Sequence, residues 1–221
     1  MTQPAPSSST ADHLRPSAAL LFVPNGTAFL AGLCIMIVEL LAGNVIAGFL
    51  GGSLYTWTSV IGVIMAGIAA GNYVGGRLAD RFMADRLLGL LFLLSAAACA
   101  TILPLNGLVG AALDGWDVTP GRIAVHVFAV FFVPGGLLGT MSPVIAKMAL
   151  DRGLATGRTV GSVYAANAAG SIVGTFLTGF YLTPNFPTSR TIWTVAILLS
   201  IIGVCYLAAA SVRRNRRANS A

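Results

Sequence analysis

The sequence predicts an all-α polytopic membrane protein of six transmembrane helices. Composition points there first: 56% of the 221 residues are hydrophobic and only 9% are charged, where a soluble domain carries about 25% charged residues. The second observation is the stretch Ser53 to Arg86. Ser59 to Val74 holds no ionisable group except Tyr73, Tyr55 and Trp57 stand before it, and Arg77, Asp80, Arg81, Asp85 and Arg86 follow. An apolar run of that length with its flanks crosses a bilayer as a helix. Aromatic residues suit one interface and arginines the cytoplasmic one. The third is the spread of positive residues. With the N-terminus inside, the cytoplasmic side receives eleven of the Lys and Arg residues, and the outside only Arg122 and Arg190. Six spans with both termini cytoplasmic satisfy the positive-inside rule, and a change of one span would break it.

Taken in order, residues 1–24 read as a disordered or interfacial tail containing Arg15, with Asn25-Gly26-Thr27 as a turn and helix start. The six-helix domain occupies residues 25–212. The spans are expected at Thr27–Leu50, Tyr55–Gly76, Leu87–Val109, Ile123–Met141 (with a continuation past Pro143 to Leu150), Val160–Leu182 and Thr191–Val212. Pro134-Gly135-Gly136 and Pro143 are expected to kink or interrupt the fourth. Residues 213–221 form a basic cytoplasmic tail, Arg213, Arg214, Arg216 and Arg217, which reads first as a stop-transfer anchor. Span 2 carries Gly67, Gly71 and Gly75, and span 5 carries Ala166, Gly170 and Gly174, each four apart. Such stripes let another helix backbone approach closely, either as static packing or as a rocking interface. Their match hints at a three-plus-three repeat.

Net charge is +6. Because the positive residues sit between apolar runs, membrane topology accounts for them and nucleic acid is not an expected partner. Cys34, Cys99 and Cys205 lie in separate apolar runs, without zinc spacing or a disulfide framework.

Glu39 stands out. It lies about twelve residues into span 1, close to mid-bilayer at about 1.5 Å per residue. A charge there costs on the order of 3 kcal/mol. It reads as a proton-coupling or cation-binding carboxylate. The other reading is a neutral carboxyl hydrogen-bonded to a neighbouring helix, with Asn44, Asn72 and Asn167 as polar candidates. Asn44 lies about 140° round the helix from Glu39. Tyr55 and Trp57 read as an interfacial belt or as a stacking surface for an organic cation. Tyr164 and Asn167, three apart on span 5, line a polar pocket or bond another helix. His126, four after Arg122, reads as a satisfied packing residue, and Asp114 and Asp117 as solvated loop charges. No phosphate-binding glycine loop, metal-spaced histidine pair or nucleophile elbow is present, so neither a cofactor nor a metal is expected.

Gly75-Gly76-Arg77-Leu78-Ala79-Asp80-Arg81, placed between spans 2 and 3, resembles the loop motif of the major facilitator proteins, and six spans resemble one half of that fold. The resemblance implies a gating latch of Arg77, Asp80 and Arg81. A closer similarity is carried by Glu39-Leu40, the run Gly52 to Gly62, the Gly75–Arg81 motif, Ser142-Pro143, Val160 to Tyr164 and Gly170 to Phe180. In that order they resemble the membrane part of fused facilitator/spermidine-synthase-like proteins, over about four fifths of the chain. Two departures stand out. Asn44 occupies the place of an arginine that would partner Glu39 or an anionic ligand. The aminopropyltransferase-like Rossmann domain is missing, so aminopropyl transfer is not expected of this polypeptide. The resemblance implies a non-catalytic plasma-membrane unit that binds or transports a small solute such as a polyamine-like cation. It would act as a homodimer or beside a separately encoded synthase-like subunit. The alternative expectation is a membrane anchor or scaffold that recruits such a partner.

Overall fold

The computed structural model describes residues 18–151 and 156–218. Arg15, Arg152 and most of the expected N-terminal tail lie outside the described residues, as do the last three residues of the basic tail. The described chain is all-helical: α1 (Ala18–Leu50), α2 (Leu54–Arg81), α3 (Ala84–Ala112), α4 (Pro120–Gly139), α5 (Met141–Leu150), α6 (Thr156–Phe176), a π-helical segment (Leu177–Leu182), α7 (Thr183–Asn185) and α8 (Thr188–Ala218). Among the described residues six helices are long and apolar enough to cross a membrane. Counted as spans they are α1, α2, α3, α4 with α5, α6 through α7, and α8.

Most ends shift by a few residues, α8 runs on to Ala218 into the expected basic tail, and three differences bear on the site. The first helix begins at Ala18, not at Thr27, and runs through Pro24. Ala18–Val23 is apolar, and in lipid a backbone has no partner but its own helix. Thr27 Oγ1 donates to the Val23 carbonyl at 2.8 Å, which binds this turn further. Secondly, Gly75–Arg81 is no loop: it forms the last two turns of α2, and Phe82 and Met83 alone separate α2 from α3. Thirdly, Pro134 leaves α4 unbroken, whereas the chain divides at Thr140, three residues before Pro143. A proline ring collides with the carbonyl four residues back, here Gly139, which is the last residue of α4.

The other connections carry the expected turn chemistry. Gly51 closes α1 with φ of 80°, a left-handed position that glycine occupies without strain. Ser53 caps α2, accepting from the Thr56 N–H at 3.2 Å. Thr119 caps α4 through the Arg122 N–H, with Pro120 in the first turn, where its missing N–H costs nothing.

The most extensive helix contacts are α2 with α4, α1 with α6, and α3 with α8. Each is made by glycines. A Cβ on Gly67 would lie 2.7 Å from the Phe132 carbonyl oxygen, and one on Gly71 would overlap the Gly136 carbonyl. On α6, a Cβ on Gly170 would overlap the Phe29 carbonyl of α1, and one on Gly174 would lie 2.7 Å from the Leu33 carbonyl. Gly89 of α3 and Gly203 of α8 face each other in the same way, each Cβ position about 3 Å from the other's carbonyl oxygen. Exchange of each span with the one three later turns the α2·α4 pair into the α6·α1 pair and leaves α3·α8 unchanged. The small-residue stripes on spans 2 and 5 thus perform one packing task at equivalent places.

The core is filled from α1, α3, α4 and α5 by Leu41, Ile46, Leu88, Phe92, Phe131 and Ile145, all fully buried. The edges are α2, α6 and α8. Only 28% of the apolar window of α2 and 17% of that of the α6 span is buried, against 61% in α1.

Candidate functional site

The site is built on α1. Its Ala31, Val38 and Val45 side is buried in the core, and its Phe29, Leu33 and Met36 side meets α6 at Gly170 and Gly174. Glu39 stands on the flank between them, half-buried. On a helix of 3.6 residues per turn it shares that flank with Gly32, seven residues before it, and Gly43, four after it. Both glycines are covered. The Gly32 Cβ position lies 3.0 Å from Asn167 Oδ1 and from Ser171 Oγ of α6, and the Gly43 position 2.5 Å from the indole of Trp57 of α2. Glu39 therefore sits between a hydroxyl-and-amide contact toward one end and the indole ring of Trp57 toward the other. Among the described residues its Oε2 is buried and accepts no hydrogen bond, and Asn167 Oδ1 is buried and unpaired as well. The spacing of seven residues puts these two oxygens' anchoring points on the order of 10 Å apart along α1.

None of the expected amides bonds the acid. Asn72 is exposed on α2 and Asn44 points elsewhere on α1. Among the described residues no donor reaches this buried carboxyl oxygen, so a hydrogen bond between helices does not account for it.

The remaining candidates separate. Trp57 joins the Glu39 flank, but Tyr55 is two residues away, about 200° round the helix, and is 61% exposed. The two rings therefore do not form one stacking surface. Asn167 faces α1, while Tyr164 is exposed on α6. At the end of α2, Arg77 donates to Tyr73 Oη and lies 3.6 Å over that ring, a cation–π contact within one helix. Asp80 and Arg81 are exposed, and among the described residues Asp80 pairs with neither arginine. Gly75 packs against Thr140 and Pro143, so the motif touches the α4–α5 division directly.

Comparison with family models, curated proteins and solved structures finds no match.

Sequence reasoning missed a second polar cluster. His126 is fully buried, and its Nε2 lies 2.9 Å from Oδ1 of buried Asn106 on α3. Its Nδ1 is buried without a partner, as is Nε of Arg122 one turn earlier. The Arg122 guanidinium donates to the Trp116 carbonyl. The expected satisfied packing histidine is satisfied at one nitrogen only. The signal for this pair was Asn106, a polar residue in the apolar run Leu87–Val109. A part-buried polar contact links the first and last helices: Thr27 of α1 and Tyr206 of α8 share a hydrogen bond of 2.5 Å.

Proposed function

We propose that this chain is a non-catalytic integral membrane unit that binds and moves a small cationic solute, with Glu39 as its binding or coupling carboxylate. The observation that carries the reading is the buried Oε2 of Glu39, unpaired among the described residues, one turn from the Gly43–Trp57 contact on a helix long and apolar enough to cross a membrane. Ionisable residues inside spans mark ion and substrate pathways more often than they serve packing. An indole beside a carboxyl suits an organic ammonium, through charge on one side and the ring face on the other. A polyamine-like cation fits this chemistry and the resemblance to facilitator/synthase-like membrane domains. The interchangeable packing of spans 1–3 and 4–6 supports the facilitator half, since such halves are built from two inverted three-helix repeats.

The open faces of α2 and α6 favour assembly with a second copy. Those faces flank α1, and a two-fold pair across them would enclose the Glu39 flank in a twelve-helix body in the plasma membrane. The eleven-to-two distribution of positive residues supports an orientation with both termini in the cytoplasm. Arg77, Asp80 and Arg81 then stand at the cytoplasmic end, where rearrangement of Arg77 from Tyr73 to Asp80 would latch one gate position.

Uptake of a labelled diamine into proteoliposomes tests the reading. Glu39→Gln is expected to abolish uptake while leaving the protein folded. Uptake at the unmodified rate in Glu39→Gln removes Glu39 from the mechanism.

A further inference from the structure

A groove of about 380 Å³ runs along the opposite side of α1 from Glu39. Ile37 lines it, and two residues along a helix are a rotation of about 200°. Leu33 and Ile37 form one wall, Leu177 of the π-helical segment another, and Leu198 of α8 the floor, while Phe186 bounds it beside the α7–α8 turn. The π-helical turn is what leaves the space: its wider winding breaks the close α1·α6 packing that Gly170 and Gly174 maintain one turn earlier. Such turns are poorly bonded and recur at functional places. The volume falls in the range of small-molecule sites, roughly 300–1,000 Å³.

Two features identify the occupant. First, apart from Arg190 at its end, the groove presents no free side-chain donor among the described residues. Its hydroxyls are spent on their own helix, Thr194 Oγ1 on the Arg190 carbonyl at 2.9 Å and Thr191 Oγ1 on the Pro187 carbonyl at 3.4 Å. A peptide or another polar chain would strand its backbone groups there; a hydrocarbon chain would not. Secondly, the groove ends at Arg190, whose guanidinium is exposed and has no acceptor among the described residues. An arginine fork with free donors matches a phosphate. From Leu198 to Arg190 is about 12 Å along α8, so head and chain contacts fall within one lipid's reach.

The geometry points to a binding site for an anionic phospholipid of the bilayer, its phosphate on Arg190 and one acyl chain in the groove between α1, the π-helical segment and α8. The site is separate from Glu39 and stands whether or not the chain moves a solute.

Native mass spectrometry of the full chain in detergent tests it, with dioleoyl phosphatidylglycerol, dioleoyl phosphatidylcholine and oleic acid as probes. Phosphatidylglycerol is expected to bind about tenfold more tightly than phosphatidylcholine. Arg190→Gln, an exposed change that leaves folding intact, should remove that preference. Thr194→Trp, also at an exposed position, should fill the groove and weaken both phospholipids. Arg122→Gln, the other arginine at this end of the bundle, should change nothing. Binding that survives both Arg190→Gln and Thr194→Trp overturns the site. Loss in Arg190→Gln alone reduces it to surface charge and overturns the groove. Oleic acid bound as tightly as phosphatidylglycerol overturns the assignment to a phospholipid.

Discussion

A carboxyl in the middle of a membrane helix costs on the order of 3 kcal/mol to insert, and a hydrogen bond to a neighbouring helix recovers part of it. Glu39 has no such bond at Oε2. Among the described residues nothing offsets that cost, and on the proposed reading a ligand or proton does. Glu39→Gln should therefore keep or raise the melting temperature in detergent while uptake is lost. A purely structural acid would give the reverse pattern. The Asn106–His126 pair obeys opposite logic because it is bonded. Asn106→Leu should lower stability by about 1–2 kcal/mol, since it strands both His126 nitrogens. Asn106→Leu with His126→Leu should recover most of that loss, because no buried polar group is then left over. Thermal unfolding of the two single variants and the double variant measures the coupling. Glu39 was legible in the sequence because one acid in an apolar run is conspicuous. The identity of its neighbours was not, because Gly43 and Trp57 meet only when α1 and α2 pack.

Among elements, the helix pairs depend on glycines that are not equivalent to one another. Gly71→Val forces a side chain into the Gly136 carbonyl, and Gly170→Val into that of Phe29. Each should destabilise by about 1–3 kcal/mol or prevent folding, as overpacking does. Gly76→Ala and Gly62→Ala meet nothing within 4 Å. They should be neutral or stabilising by up to about 1 kcal/mol, from helix propensity. Melting curves of the four variants decide between packing and propensity. Four-residue spacing made the stripes visible in the sequence, but not which backbone each stripe would face. The boundaries show the same division. Caps at Ser53 and Thr119 are local chemistry and were readable. The continuation of α1 before Thr27 and of α2 to Arg81 was not, because Pro24 and the Gly75-Gly76 pair are breakers in water. A helix held by lipid and by neighbouring helices tolerates them.

At the scale of the molecule, the least buried spans are the ones proposed to meet a second copy. Cysteines placed at Met65 on α2 and Ile172 on α6, with Cys205→Ser, should give a disulfide-linked dimer in membranes. A cysteine at Leu90 on α3 should not. All three positions are exposed in the single chain, so exposure alone cannot produce the difference. Cross-linking at Leu90 alone would move the interface to α3 and α8. Orientation has its own measurement: an impermeant maleimide applied to intact cells should label Ser53→Cys and spare Met83→Cys.

Six apolar runs, their order and the one acid among them follow from the sequence, because transfer into lipid is a property of each segment alone. The pairing of α2 with α4, α1 with α6 and α3 with α8 was decided by tertiary structure. So were the unpaired state of Glu39 and the groove that ends at Arg190. In lipid the helices gain little from burying apolar surface, so close backbone fit selects their partners. That fit depends on the shapes of two helices at once, which neither segment carries by itself.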